Sequence, residues 1–194
     1  MSSLNPHAPL VIDVRELGRR AGAVNRIQRT VPAPDDLGTT VIGIPEGTDI
    51  DLDLQIESVM EGVYITGTAT VRAVGECSRC LDPMVREDVI GLQELYRYPG
   101  DEFGDVEDEL PELEDDLLDL EPTLRDAVVL SLPLAPVCRE DCPGLCAQCG
   151  ERLADDPQHS HDLIDPRWAA LQGLAEAQDE DLDSASDVTP REES

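Results

Sequence analysis

Six cysteines carry nearly all the distinctive chemistry of this 194-residue chain, and they fall in two short stretches. Cys77 and Cys80 stand in GECSRC, and Cys138, Cys142, Cys146 and Cys149 in CREDCPGLCAQCG. Zinc takes four nitrogen or sulfur ligands in a tetrahedron, and a CxxC turn presents two thiolates to one ion. Cys77/Cys80 and Cys146/Cys149 have that spacing, and Gly150 permits the tight turn a knuckle needs. Cys138/Cys142 form a third pair, and His159/His161 in QHSH a fourth. Four pairs suffice for two ions. One partition joins Cys77, Cys80, Cys138 and Cys142 around one ion, and Cys146, Cys149, His159 and His161 around another. A second joins Cys77/Cys80 to Cys146/Cys149 in a ribbon-like site, leaving Cys138, Cys142 and the histidines for a weaker site or none. In either, the upstream pair supplies half a tetrahedron, so the metal bridges distant segments.

Other chemistries fit less well. A redox CxxC of the thioredoxin type follows a strand and opens a helix, whereas SRCLDP turns toward another strand. No Gly-rich phosphate loop, nucleophile elbow or HExxH is visible. A catalytic zinc keeps an open coordination position, whereas a site of four thiolates is closed. The expectation is therefore structural zinc, one or two ions, and no enzyme.

The elements that must position these pairs are mostly strands. In DIDLDLQIE, Ile50, Leu52, Leu54 and Ile56 alternate with Asp51, Asp53, Gln55 and Glu57, a half-buried antiparallel strand with a solvated acidic face. VYITGTATVRAV pairs back as a hairpin, and MVREDVIGLQELYRY (84–98) supplies a third long strand. Cys77 and Cys80 then sit in the turn between two strands. LVIDV (10–14) reads as a first strand, RELGRRAGAVNRIQRT as a helical turn followed by loop, and 32–47 as connector. EPTLRDAVVLSLPL reads as a helix that delivers the chain to Cys138: Pro122 suits its first turn, Leu124, Val128 and Leu132 make a stripe, and Pro133 stops it. DPRWAALQGLAEAQ reads as a second helix capped by Asp165. The fold expected is α+β: an antiparallel β-sheet with packed helices and a C-terminal zinc-knuckle module. One domain spans 1–175, with an acidic loop at 101–121 and a zinc-binding region at 138–161, before an acidic disordered tail at 176–194.

Charge narrows the partners. The net charge is −29, the pI near 4.1, and all 14 basic residues are arginine. Residues 1–30 carry five arginines against Asp13 and Glu16; the remainder carries nine against 41 carboxylates. A surface so acidic repels phosphate, which disfavours duplex DNA. A basic protein partner is compatible, as is a limited RNA contact through Arg15, Arg19, Arg20, Arg26 and Arg29. Residues 101–121 hold twelve carboxylates and no basic residue, the composition of a solvated loop or an acidic docking surface. APLVIDV is too short for the apolar region of a signal peptide, and no run approaches a membrane span. A cytoplasmic chain with reduced thiols is expected.

The order VIDVREL, GECSRCLDP, an acidic loop, LSLPLAPVC, CPGLCAQCG with the following ERL, and DPRWAAL resembles the YceD family, from about residue 10 to about 175. That family is associated with accumulation of large-subunit ribosomal RNA, and in many bacteria it is encoded beside a small zinc-type protein of the large subunit. The resemblance implies that Cys77, Cys80, Cys138 and Cys142 occupy the family's more widespread metal-binding positions. Cys146 and Cys149 match a pair of the cysteine-rich branch, which often carries a further Cys pair where this chain has His159 and His161. It thus favours the first partition, and implies a non-enzymatic role on a large-subunit ribosomal precursor, through rRNA or a basic ribosomal protein. Two rivals from other classes are a zinc-ribbon regulator associated with transcription and a CxxC thiol oxidoreductase.

Overall fold

The computed structural model describes residues 4–100 and 110–161. The chain divides into two compact units, Met1–Ala154 and Asp155–Ser194.

The first unit is built around one antiparallel sheet. Its axis is the 15-residue strand β6 (Gly62–Glu76), flanked along its whole length by β7 (Pro83–Arg97). On the opposite edge β6 pairs first with β5 (Asp49–Ser58) and then, near its end, with β4 (Ile42–Ile44). β2 (Val24–Pro32) extends the sheet beyond β5, and β3 (Leu37–Gly38) extends it beyond β4. The long strands curl into a half-barrel. Glycine permits one close approach in that curl: a Cβ at Gly67 would lie 2.1 Å from the carbonyl oxygen of Asp53.

Period-two alternation divides the faces. Ile50, Leu52, Leu54 and Ile56 are each at most 3% exposed, while Asp49, Asp51 and Asp53 face water. The inner face continues through Val63, Ile65, Ala69 and Val71 of β6 and Ile90, Leu92 and Tyr96 of β7. Among the described residues its cover is small: β1 (Val11–Asp13) pairs with β8 (Leu117–Asp119), and a single helix α1 (Glu121–Ser131) packs against β7 and β3. Pro122 fits the helix start, the carboxylate of Asp119 accepts from the Glu121 amide at 3.1 Å, and Leu124 and Val128 are fully buried. The Arg125 guanidinium donates to the backbone carbonyls of Asp36 and Asp35, at 2.6 and 3.0 Å, tying the helix to the approach to β3. Tyr96 donates to the carbonyl of Asp119 at 2.8 Å, and burial pushes its phenol pKa up to about 12.

Four expectations need correction. The fold is not α+β with packed helices: among the described residues it is a mostly antiparallel β structure with one short helix. The basic segment after Glu16 is not a helical turn and loop throughout, because residues 24–32 form the nine-residue strand β2. The supposed connector contains β3 and β4. Within the acidic run, Leu113, Leu117, Leu118 and Leu120 are buried, since leucines spaced among carboxylates supply the inner side of β8 and the helix entry. The remainder of the acidic run (101–109), the second expected helix and the expected tail lie outside the described residues.

Candidate metal centre

The β6–β7 turn is organised by backbone hydrogen bonds around Cys77. The Cys77 amide donates to the Asp82 carbonyl at 2.8 Å, and the Leu81 amide to the Cys77 carbonyl at 2.9 Å. The segment after α1 is then laid against this turn. The Ser78 amide donates to the carbonyl of Pro136 at 2.7 Å, and the Leu145 amide to that of Arg79 at 3.0 Å. Arg79 completes the join: its guanidinium donates to the carbonyls of Glu140 and Cys142. An ion pair between Arg152 and Asp82 closes the other side.

These bonds converge four sulfurs. The Cys77 and Cys142 Sγ atoms are 3.8 Å apart, those of Cys80 and Cys138 are 3.7 Å apart, and all four lie within 4.8 Å of one another. Thiolates at about 2.3 Å from a tetrahedral zinc are separated by about 3.8 Å, so the spacing fits such an ion. Cys77 and Cys142 are buried, Cys80 is half-buried and Cys138 is exposed. Backbone amides of Cys80 first, then Cys138 and Arg79, aim at the Cys77 sulfur and pull its pKa down to about 6. At Cys80 the Asp82 amide acts the same way, but desolvation and the sulfurs of Cys77, Cys142 and Cys138 outweigh it and push the thiol up to about 12. Desolvation in the cluster also raises Cys138. The backbone amides thus favour the thiolate at Cys77, and the crowding of sulfurs disfavours it at Cys80.

The other predicted ligands form two local arrangements. Cys146 and Cys149 make a knuckle: the Cys146 amide donates to Glu151 at 2.8 Å, the Gly150 amide to Cys146 at 2.9 Å, and Gly150 takes φ +76°. In the second unit, the Nε2 atoms of His159 and His161 are 2.8 Å apart, with the rings edge to face. The structure thus brings Cys77/Cys80 together with Cys138/Cys142, the grouping of the first partition, rather than with Cys146/Cys149.

The five arginines considered for RNA contact do not share one surface. Arg15 is paired with Asp13, and the Arg19 guanidinium lies 4.6 Å from the ring centre of Tyr98. Arg20 is exposed in the preceding loop. Arg26 is opposite Gln55 on the outer face of the sheet. Arg29, opposite Leu52, is half-buried on the inner side, donates to the Val11 carbonyl at 3.3 Å, and has its pKa lowered by burial.

Fold and site together define a curled β-sheet protein with a candidate four-thiol metal centre fastening its longest hairpin to the segment after its helix. The family model described as "Large ribosomal RNA subunit accumulation protein YceD" matches residues 65–175, the region that holds all four thiols, and the chain belongs to the YceD family. Uncharacterized proteins of Mycobacterium bovis and Mycobacterium tuberculosis are each 45% identical over 166 residues, covering 84% of this chain and 80% of theirs. An uncharacterized protein of Mycobacterium leprae is 44% identical over 169 residues, covering 86% and 78%. No solved structure matches. Among the described residues, no helix is long and apolar enough to cross a membrane.

Proposed function

We propose that the chain is a non-enzymatic, zinc-binding factor that promotes accumulation of large-subunit ribosomal RNA in the cytoplasm. Membership of the YceD family carries this reading. The four-thiol cluster supports the metal part, since soft thiolates in a closed set suit zinc and leave no coordination position for a substrate. Zinc there fastens the fold and supplies no reaction step. On the pairing of ligand types in the sequence, Cys146/Cys149 and His159/His161 provide donors for a second ion. The strongly acidic composition favours a basic ribosomal protein as the direct contact, held until rRNA replaces it.

The test is deletion of the gene followed by quantification of large- and small-subunit rRNA, with affinity capture of the tagged chain from gently lysed cells. A selective loss of large-subunit rRNA, with precursor particles or their proteins captured over mature subunits, is expected. Unchanged rRNA levels and recovery of RNA polymerase or DNA would overturn the reading. Metal analysis of the purified chain should return one or two zinc ions.

A further inference from the structure

Beside the metal centre the outer face of the sheet is unexpectedly apolar. Val74 of β6 and Val85 of β7 face each other in register and are 41% and 53% exposed. On the other side Val74 is opposite Gly43 of β4, which has no side chain to cover it. Two hollows, of 760 and 600 Å³, open around the β3–β4 hairpin, and Thr39, Thr40, Gly43 and Val74 line both. They are two lobes of one trough. The first lobe is rimmed by Asp35, Asp36 and Glu46. The second adds Val41, Leu81, Pro83 and Glu76, and reaches Cys77.

Two features give the trough a chemical preference. Leu81 has φ +60°, a conformation that glycine or asparagine adopts at far lower cost, yet its side chain is 59% exposed. Neither backbone preference nor core packing accounts for a leucine there, whereas an apolar contact in the trough does. The rim is acidic, and no arginine or histidine lines either lobe. Arg125 reaches the backbone carbonyls of Asp35 and Asp36, so the loop is fixed while its carboxylates have no ion pair among the described residues.

We propose that this trough docks an extended segment of a protein partner in which apolar residues alternate with Arg or Lys. The apolar side chains lie on Val74, Val41 and Leu81, and the long cationic ones reach the rim. RNA is the poorer occupant, since its phosphates would meet four carboxylates and no cation. This rests on the proposed reading that the direct partner is basic, and it names the surface that holds it.

The experiment uses the full, zinc-loaded chain and a fluorescent short peptide alternating Arg and Val, read by anisotropy. Control peptides alternate Glu with Val, or Arg with Ser. The Arg–Val peptide should bind about tenfold more tightly than either control, because only it satisfies floor and rim together. Leu81→Asn should leave the melting temperature unchanged or higher, since asparagine tolerates the left-handed backbone, and weaken the peptide about tenfold. Glu46→Arg on the rim should weaken it similarly, while Glu61→Arg, the same charge change in the β5–β6 turn, should alter affinity less than about twofold. Equal effects of the two charge reversals, equal binding of the Glu–Val peptide, or competition by single-stranded RNA would overturn the proposal. So would normal large-subunit rRNA in cells whose only copy carries both Leu81→Asn and Glu46→Arg. Normal rRNA after outright deletion would instead overturn the proposed function.

Discussion

Replacing Cys142 by serine tests the fastening role most directly. The residue is buried and its sulfur lies 3.8 Å from that of Cys77, which is 65 residues away in sequence. Serine nearly preserves the volume but replaces a soft thiolate with a poor zinc ligand. Treating the metal as a cross-link between these positions, closure of a loop of that length contributes about 4 kcal/mol by restricting the unfolded chain. For a chain of this size, that corresponds to a fall in melting temperature of about 8–16 °C. The aliphatic core cluster contains none of the sulfurs, so the sheet should survive loss of the metal at low temperature. Calorimetry of the variant, paired with metal analysis and far-ultraviolet circular dichroism, reads all three quantities. The chelated wild-type chain should melt near the variant, because both lack the same fastening, and limited proteolysis should cut first between residues 133 and 154. An unchanged melting temperature in either sample, or full zinc content in Cys142→Ser, would refute the reasoning.

Three further outcomes follow from the same geometry. Zinc affinity should rise with pH above 6: Cys80, pushed up to about 12, must lose its proton to ligate, whereas Cys77, pulled down to about 6, has already lost its own; competition with a chromophoric chelator at two pH values reads the rise, and an affinity independent of pH would refute it. Tyr98→Phe should cost about 1–3 kcal/mol in denaturant melts, since the Tyr98 hydroxyl is the 2.9 Å partner of the fully buried Ser58 hydroxyl. Arg29→Leu should raise the melting temperature, because the half-buried guanidinium leaves its Nε without a partner; a lower one would show that the arginine is better satisfied than its contacts indicate.

The readable parts of the sequence were those where one physical signal dominates. Strand β5 announces itself because aliphatic and acidic residues alternate without interruption, and the helix because Pro122, its apolar stripe and Pro133 all agree. The thiol grouping was half readable: spacing marks the pairs, but only the chain path, with Ser78 bonded to Pro136 and Leu145 to Arg79, determines which pairs meet. β2 was hidden because arginine and glutamine interrupt its outer face and its inner face holds the half-buried Arg29. The buried leucines of the acidic run were masked by their neighbours, since like charges signal a solvated loop, while Leu117 and Leu118 are fixed by pairing with Asp13 and Ile12 of β1, a contact distant in sequence that local composition does not reveal. The α+β expectation failed for a related reason: helical periodicity is a local signal, whereas the pairings of β2 with β5, β4 with β6 and β8 with β1 join segments distant in sequence.

The metal centre and the trough share a hinge at Leu81, and that sharing has a testable consequence. The left-handed turn at Leu81 is closed by its amide on the Cys77 carbonyl, at 2.9 Å, and by the Cys77 amide on Asp82. An ion held by Cys77 and Cys80 would therefore brace the residue that presents the leucine to the trough. Metal on these thiols would then do more than stabilise a modest core: it would set the shape of a surface. If so, chelation at a temperature well below melting should weaken the Arg–Val peptide by about the factor seen for Leu81→Asn, because both remove the same contact. In the Leu81→Asn background, chelation should add almost nothing. Independent, multiplying losses would mean that the metal acts on binding by another route, and that the four thiols fasten the fold without shaping the trough.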